Sequence, residues 1–184
     1  EDNELLCKKL MVRMQEILLW HAWPKFTPKE DEVLPMKCTI SIFDRTKKLP
    51  DPRYISPFDK LTIALNKARK KEEKIFSIRP KRLLGYVGLQ NCSYDSEIDQ
   101  RFRNLLGDDS LIPSKLAHFA LLRPAELVVN YLTRNLEEGQ DQWCGVFICD
   151  NNKEIEQSFA KSEPPSHDDW NPQSLDDNYQ RTFV

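Results

Sequence analysis

The sequence predicts an α+β fold, a helix-rich domain around a small mixed β-sheet. Three observations carry this reading. Apolar residues recur at three- and four-residue spacing over the first 23 positions, the period of an amphipathic helix. Residues 142–150 read Gln-Trp-Cys-Gly-Val-Phe-Ile-Cys-Asp, a continuous apolar run suited to a strand buried on both faces. Between these two segments the patterns follow the order helix, strand, helix, strand, helices, strand, and a last helix closes the chain.

In the first helix, Leu6, Leu10, Met14, Ile17 and Leu18 form the expected buried stripe, widened by Cys7 and Met11. Lys8, Lys9, Arg13 and Glu16 take the opposite, solvated side. The helix is expected to stop near Trp23-Pro24, because the residue before a proline avoids the α region. Trp20, His21 and Trp23 then read as a core anchor. A strand is expected over 37–44, with Cys38, Ile40 and Ile42 on one face, between proline-containing loops at 24–36 and 45–57. Ser56-Pro57-Phe58-Asp59 is a helix entry, with serine as cap and proline in the first turn. That helix carries Leu61, Ala64, Leu65 and Ala68 inward and dissolves into a lysine-rich tail at 70–74.

Strands are expected at 75–78 and 82–89, and a short helix at 95–106 closed by Gly107. Pro113-Ser114 opens a further helix holding Leu116, Phe119, Ala120 and Leu121, and Pro124 opens another that runs to about Leu136. After the 142–150 strand, Asn151-Asn152 turns the chain into a helix at 153–161. Residues 1–161 thus form one α+β domain, and 162–184 a Pro/Asp-rich C-terminal segment, packed on the domain or leading to a missing region. The opening Glu1-Asp2-Asn3 and the closing Thr182-Phe183-Val184 suggest a piece excised from a longer protein.

Composition narrows the chemistry. Of 184 residues, 40% are apolar and 18 are aromatic, enough for a real core and against wholesale disorder. Only 5 glycines are present, and none forms a GxGxxG, Walker A or GxSxG motif. The 5 cysteines include no CxxC pair, which argues against a zinc site or a secreted disulfide framework. Free thiols in a reducing cytoplasm are expected instead. No run reaches about 18 consecutive apolar residues, so no membrane-spanning helix is expected. Charge is uneven: residues 1–134 carry 24 Lys and Arg against 18 Asp and Glu, whereas 135–184 carry 3 against 11.

The strongest basic feature lies within residues 67–82. It contains Lys67, Arg69, Lys70, Lys71, Lys74, Arg79, Lys81 and Arg82, with Phe76 and Tyr86 near enough in sequence to stack on a base. As a nucleic-acid interface it would use Lys67, Arg69, Lys70, Lys71, Lys74, Lys81 and Arg82. As ordinary surface it would be a solvated helix end. Asp51 followed by Glu72, Glu73 and Lys74 has the spacing of a PD…ExK magnesium-dependent nuclease site. Here, however, the ExK falls in a lysine-rich helix tail rather than on an apolar strand. Asp51, Glu72 and Lys74 are therefore only candidates, and no catalytic residue is assigned. In the segment 159–172, His167 with Asp168 has the chemistry of a metal ligand or acid–base pair, but Pro164 and Pro165 oppose a helix there. A rigid interaction loop is the expected role of Pro164, Pro165, His167, Asp168 and Trp170. No metal or cofactor is expected.

The runs Leu127-Val-Val-Asn-Tyr-Leu132, Trp143-Cys-Gly-Val-Phe-Ile148 and Ser162-Glu-Pro-Pro-Ser-His-Asp-Asp-Trp170 resemble the region downstream of the ATPase domain in bacterial GHKL (MORC-like) ATPases. The ExxxN helix and Gly-rich lids of that family's nucleotide site are absent from this sequence. The resemblance implies an accessory piece whose ATP chemistry lies elsewhere. The expected function is therefore a non-catalytic interaction domain of a larger cytoplasmic protein, mediating protein association. Its partner would be another protein, other regions of the same chain or a second copy, and not a membrane. The alternatives are a nucleic-acid-binding module using residues 67–82 and a magnesium-dependent, nuclease-like hydrolase.

Overall fold

The computed structural model describes residues 2–29, 35–55, 57–92, 112, 118–133, 142–166, 169–171, 173 and 175. Among the described residues the fold is α+β. Helix α1 spans Asp2–Ala22 and passes into a 3-10 turn at Trp23–Phe26. Strands β1 (Thr39–Ile42) and β2 (Arg45–Lys48) form a separate antiparallel hairpin. Helix α2 spans Phe58–Arg69. Strands β3 (Lys74–Phe76), β4 (Leu83–Cys92), β5 (His118–Leu122), β6 (Val128–Thr133) and β7 (Gln142–Cys149) build one mixed sheet, and helix α3 (Lys153–Ser162) follows.

The sheet order is β3-β4-β7-β5-β6. The β7 strand, last in sequence, is inserted at the centre, antiparallel to β4 and parallel to β5. This position explains its continuous apolar run: Cys144, Val146 and Ile148 face α2, while Phe147 and Cys149 face α3. Helix α2 lies on the sheet through Leu61, Ala64, Leu65 and Ala68, the spacing of one helical face. Gly88 of β4 sets how closely it lies. A Cβ there would meet the Ala64 carbonyl oxygen at 2.0 Å and the Ala68 nitrogen at 2.7 Å.

On the opposite face, α3 presents Ile155 and Phe159 to Phe147 and Cys149. The Asn152 side chain caps α3 by accepting from the Glu154 N–H at 3.0 Å.

Several expectations are corrected. The helix expected after Pro113-Ser114 is strand β5 over His118–Leu122, and the helix expected from Pro124 is strand β6 over Val128–Thr133. The two strands form an antiparallel hairpin, and Pro124 lies in its turn. Phe119-Ala-Leu-Leu122 is a short continuous apolar run, which periodicity cannot assign to helix or strand. The loop expected at 45–57 contains β2. Helix α2 begins at Phe58, with Pro57 at the cap position, one residue later than expected. The helix expected at 95–106 lies outside the described residues.

The largest correction concerns α1. Its buried side is Cys7, Met11, Gln15, Glu16 and Leu19, continued by Trp23. Glu16, expected in solvent, is buried, and its Oε2 accepts from Arg13 at 2.9 Å. Leu6, Leu10, Met14 and Ile17, expected in the core, are exposed. The reason is the anchor at the end of the helix. Trp23 is fully buried and donates from Nε1 to the Tyr131 hydroxyl at 3.0 Å. Tyr131 donates in turn to the Trp20 carbonyl at 2.5 Å and stacks on the Trp20 ring at 3.9 Å. These contacts fix the rotation of the helix about its axis.

Candidate functional site

The trio Asp51, Glu72 and Lys74 does not converge. Asp51 caps the 3-10 turn Pro52–Tyr54 by accepting from the Arg53 N–H at 2.9 Å. Its carboxylate also takes the Arg53 side chain, at 2.7 Å from Nη2 and 3.1 Å from Nε. Partial burial would raise the Asp51 pKa, but the Arg53 hydrogen bonds outweigh it and hold the carboxyl below its usual value. Asp51 precedes α2, whereas Glu72 and Lys74 follow it. The length of a twelve-residue helix, about 18 Å, lies between them. No group of three or more His, Cys, Asp or Glu among the described residues is arranged to hold a metal ion. His167 and Asp168 lie outside the described residues.

The basic residues of 67–82 separate into different settings. Lys67 donates to the Leu89 carbonyl at 2.8 Å and to Gln90 Oε1 at 3.0 Å. Arg69 is partly buried and saturated: it grips both oxygens of Glu126, at 3.1 and 2.9 Å, and donates to the carbonyls of Pro24 and Pro28 and to Asn66 Oδ1. Arg82 is paired with Glu154. Lys81 lies over the Phe76 ring, and Lys74 is exposed on the edge strand β3. Arg69 is thus a structural tie joining α2, the 3-10 segment and the β5–β6 turn. A continuous phosphate-tracking stripe is not assembled from these side chains.

Lys70 and Lys71 instead open onto a pocket of about 370 Å³ at the C-terminal end of α2. Lys29, Arg69, Glu126 and Tyr86 share its walls, and Lys71 Nζ lies 5.1 Å from the Tyr86 ring centroid. Lys71 and Glu126 have left-handed backbones, with φ of 60° and 58°. Outside glycine this conformation costs on the order of 1 kcal/mol per residue. Burial would raise the Glu126 carboxyl, but the hydrogen bonds and charge of Arg69, with Lys29 beside it, hold it below the usual range.

Of the C-terminal segment, residues 169–171 pack back onto the domain. Trp170 packs on Phe159 at 4.5 Å between ring centroids and meets Phe147 edge-on at 6.1 Å. Its Nε1 donates to Glu163 Oε1 at 3.1 Å. Asp169 accepts from Asn130 at 3.0 Å, and the Asn171 N–H reaches the Ser162 carbonyl at 2.8 Å. Trp170 thus packs into the cluster formed by Phe147, Cys149, Ile155 and Phe159. Pro165 is exposed at the bend and Pro164 partly so.

The surface that sequence reasoning missed is the outer side of α1. Leu6, Leu10, Met14 and Ile17 follow one another at spacings of four, four and three residues, each 43–54% exposed. Lys9 and Arg13 flank this line on one side, where helical geometry places them. A helix apolar on two sides calls for cover on both. The available signal was Cys7, Met11 and Leu19, a second apolar line in the same helix. A smaller apolar area lies on the α3 side of the sheet, where Leu89, Trp143 and Leu132 are about half exposed.

No protein-family model, curated protein or solved structure matches this chain.

Proposed function

We propose that this chain is a non-catalytic association module that pairs through the outer stripe of α1, with a second copy of itself as the partner. The carrying observation is the uncovered line Leu6–Leu10–Met14–Ile17 on a helix whose other side is already buried. Its spacing is that of a seam between packed helices. The line is close to symmetric about Val12. A twofold axis crossing there sets Leu10 against the partner's Met14 and Leu6 against the partner's Ile17, an isologous contact. The stripe alone is smaller than a standard protein–protein interface, so pairing is concentration-dependent rather than obligate.

Asp51 caps a turn ahead of α2, apart from Glu72 and Lys74 beyond it, which counts against the nuclease-like alternative. The resemblance at 127–170 fits an accessory role, with ATP chemistry outside this chain. Five cysteines without a disulfide fit a reducing, cytoplasmic setting. No helix among the described residues is long and apolar enough to cross a membrane.

The test is light scattering behind size exclusion, from low to high micromolar protein, on the wild type and on Leu10→Glu. The wild type is expected to move from monomer toward dimer, and Leu10→Glu to remain monomeric with an unchanged circular-dichroism melt. A wild type that stays monomeric throughout overturns the reading. So does a dimer that survives Leu10→Glu, which would move the contact to another face, such as Leu89, Trp143 and Leu132.

A further inference from the structure

Strand β3 is an edge of the sheet, and the turn that joins it to β4 carries unusual residues for a solvated bend. Ser77 closes that turn. Its N–H reaches the Arg82 carbonyl at 2.9 Å, its hydroxyl donates to the Pro80 carbonyl at 2.7 Å, and the Arg82 N–H reaches the same hydroxyl at 3.1 Å. The residues held between them, Ile78, Arg79, Pro80 and Lys81, are all exposed. Turns favour Gly, Asn, Asp, Ser and Pro. Here Ile78 stands 79% exposed, with Ile75 and Phe76 of β3 at 40% and 44%. One exposed aliphatic is ordinary, but large apolar side chains at 75, 76 and 78 on a pinned turn form a patch. Ile75 and Phe76 are consecutive in β3, so they face opposite sides of the ribbon. The end of the ribbon is thus apolar on both sides, which suits insertion into a soft apolar medium rather than seating on a flat protein surface.

The charge on the ribbon is of one sign. Residues 74–92 contain Lys74, Arg79, Lys81 and Arg82 and no Asp or Glu. Arg82 is taken by Glu154. Among the described residues, no carboxylate forms an ion pair with Lys74, Arg79 or Lys81. Glu72 and Glu73 lie at the far end of the ribbon from its turn, where the Glu73 carbonyl accepts from the Val87 N–H at 3.0 Å. Lys81 holds its ammonium 5.0 Å from the centroid of the Phe76 ring. Lysine and arginine carry long aliphatic stems, so they can lie along an apolar surface and still keep the charge at its polar boundary.

We propose that the β3–β4 turn docks this chain on an anionic membrane surface. Ile78 and Phe76 enter the boundary between headgroups and acyl chains, and Lys74, Arg79 and Lys81 meet the lipid phosphates. A single-stranded nucleic acid would take the same charge, but it binds by stacking its bases on aromatic faces. The face of Phe76 is occupied by Lys81, and Ile78, the most exposed side chain of the turn, has no such face. The contact is peripheral and reversible, because a small apolar patch with a few cations falls short of a stable anchor. It runs against the sequence expectation that no membrane takes part. The turn shares no residue with the outer stripe of α1, so the two proposals stand or fall separately.

The test is co-sedimentation of the whole chain, at low micromolar protein, with vesicles of phosphatidylcholine alone and with vesicles of equal parts phosphatidylcholine and phosphatidylglycerol. The wild type is expected to sediment with the mixed vesicles and to stay in solution with phosphatidylcholine. Lys74→Ala and Arg79→Ala should each weaken binding about fivefold, the contribution of one cation near an anionic surface. Ile78→Ser keeps every charge and should weaken binding about tenfold by removing the inserted side chain. All three positions are exposed, so the circular-dichroism melt should stay that of the wild type. Ile78→Ser binding as the wild type does, equal sedimentation with the two kinds of vesicle, or none with either, overturns the proposal. So does retention on a single-stranded oligonucleotide without binding to the mixed vesicles, which would assign the cations to nucleic acid. Leu10→Glu is expected to sediment as the wild type does; a loss as large as that of Ile78→Ser would move the contact to α1 and overturn the proposal too.

Discussion

Helix α1 presents two apolar sides, and the fold uses only one. Toward the domain it seats Cys7, Met11 and Leu19, then hands the chain to Trp23, whose indole is closed off by Phe58 and Tyr131. Away from the domain it shows Leu6, Leu10, Met14 and Ile17 to solvent. Hydrophobicity alone does not separate the two sides. The inner one is even the more polar toward its C-terminal half, since Gln15 and Glu16 are buried there and Glu16 Oε1 finds no partner among the described residues. What separates them is shape and directed hydrogen bonding at Trp20, Trp23 and Tyr131. Burial follows the anchor, and the remaining stripe is left at the surface.

The inner side should therefore carry stability and the outer side association. Trp23→Ala is expected to have the largest effect, a loss of about 3–5 kcal/mol in urea unfolding, because it empties a fully buried indole site. A loss under about 1 kcal/mol would remove Trp23 as the anchor. Tyr131→Phe comes next. It leaves the Trp23 N–H and the Trp20 carbonyl without their partner and is expected to cost about 1–3 kcal/mol by the same measurement.

A pH effect of smaller size belongs to the same side. His118 lies against Trp20 and Tyr131, at 5.9 and 6.0 Å between ring centroids. Burial holds its imidazole below the ordinary value of 6.5. As pH falls, the unfolded chain takes the proton first. The stability tied to neutral His118 is full above 6.5 and is lost as pH drops toward the folded value. Urea midpoints at about pH 7.5 and pH 5.5 should differ less in His118→Phe than in the wild type. Equal differences would place the acid-side loss in other groups. The smallest stability effect is expected on the outer side: Met14→Glu should stay within about 0.5 kcal/mol of the wild type for the monomer while abolishing pairing.

Much of the architecture was legible in the residues. The existence of α1, the inward face of α2, the central strand at 142–149 and the α+β class follow from periodicity and run length. Three things were not. The rotation of α1 was hidden because both of its sides are apolar, so the pattern has no unique inward direction. The β5–β6 hairpin was hidden because its left-handed turn position holds Glu126 rather than the glycine or asparagine that marks such turns. The β1–β2 hairpin was hidden for the same reason, with Phe43 left-handed at its bend. At the candidate sites, the sequence placed Lys70 and Lys71 among binding residues. It could not show that Arg69 and Arg82, in the same stretch, are engaged by Glu126 and Glu154, contacts 57 and 72 positions away.

Sedimentation velocity of two charged variants, alone and mixed, tests the pairing most directly. Leu10→Glu and Met14→Lys should each sediment as monomers, since each sets a charge against an apolar side chain of its own copy. Mixed, they should form a heterodimer, because the antiparallel contact sets position 10 of one copy against position 14 of the other. A mixture that remains monomeric at concentrations where the wild type pairs, or variants that pair unmixed, would contradict the account.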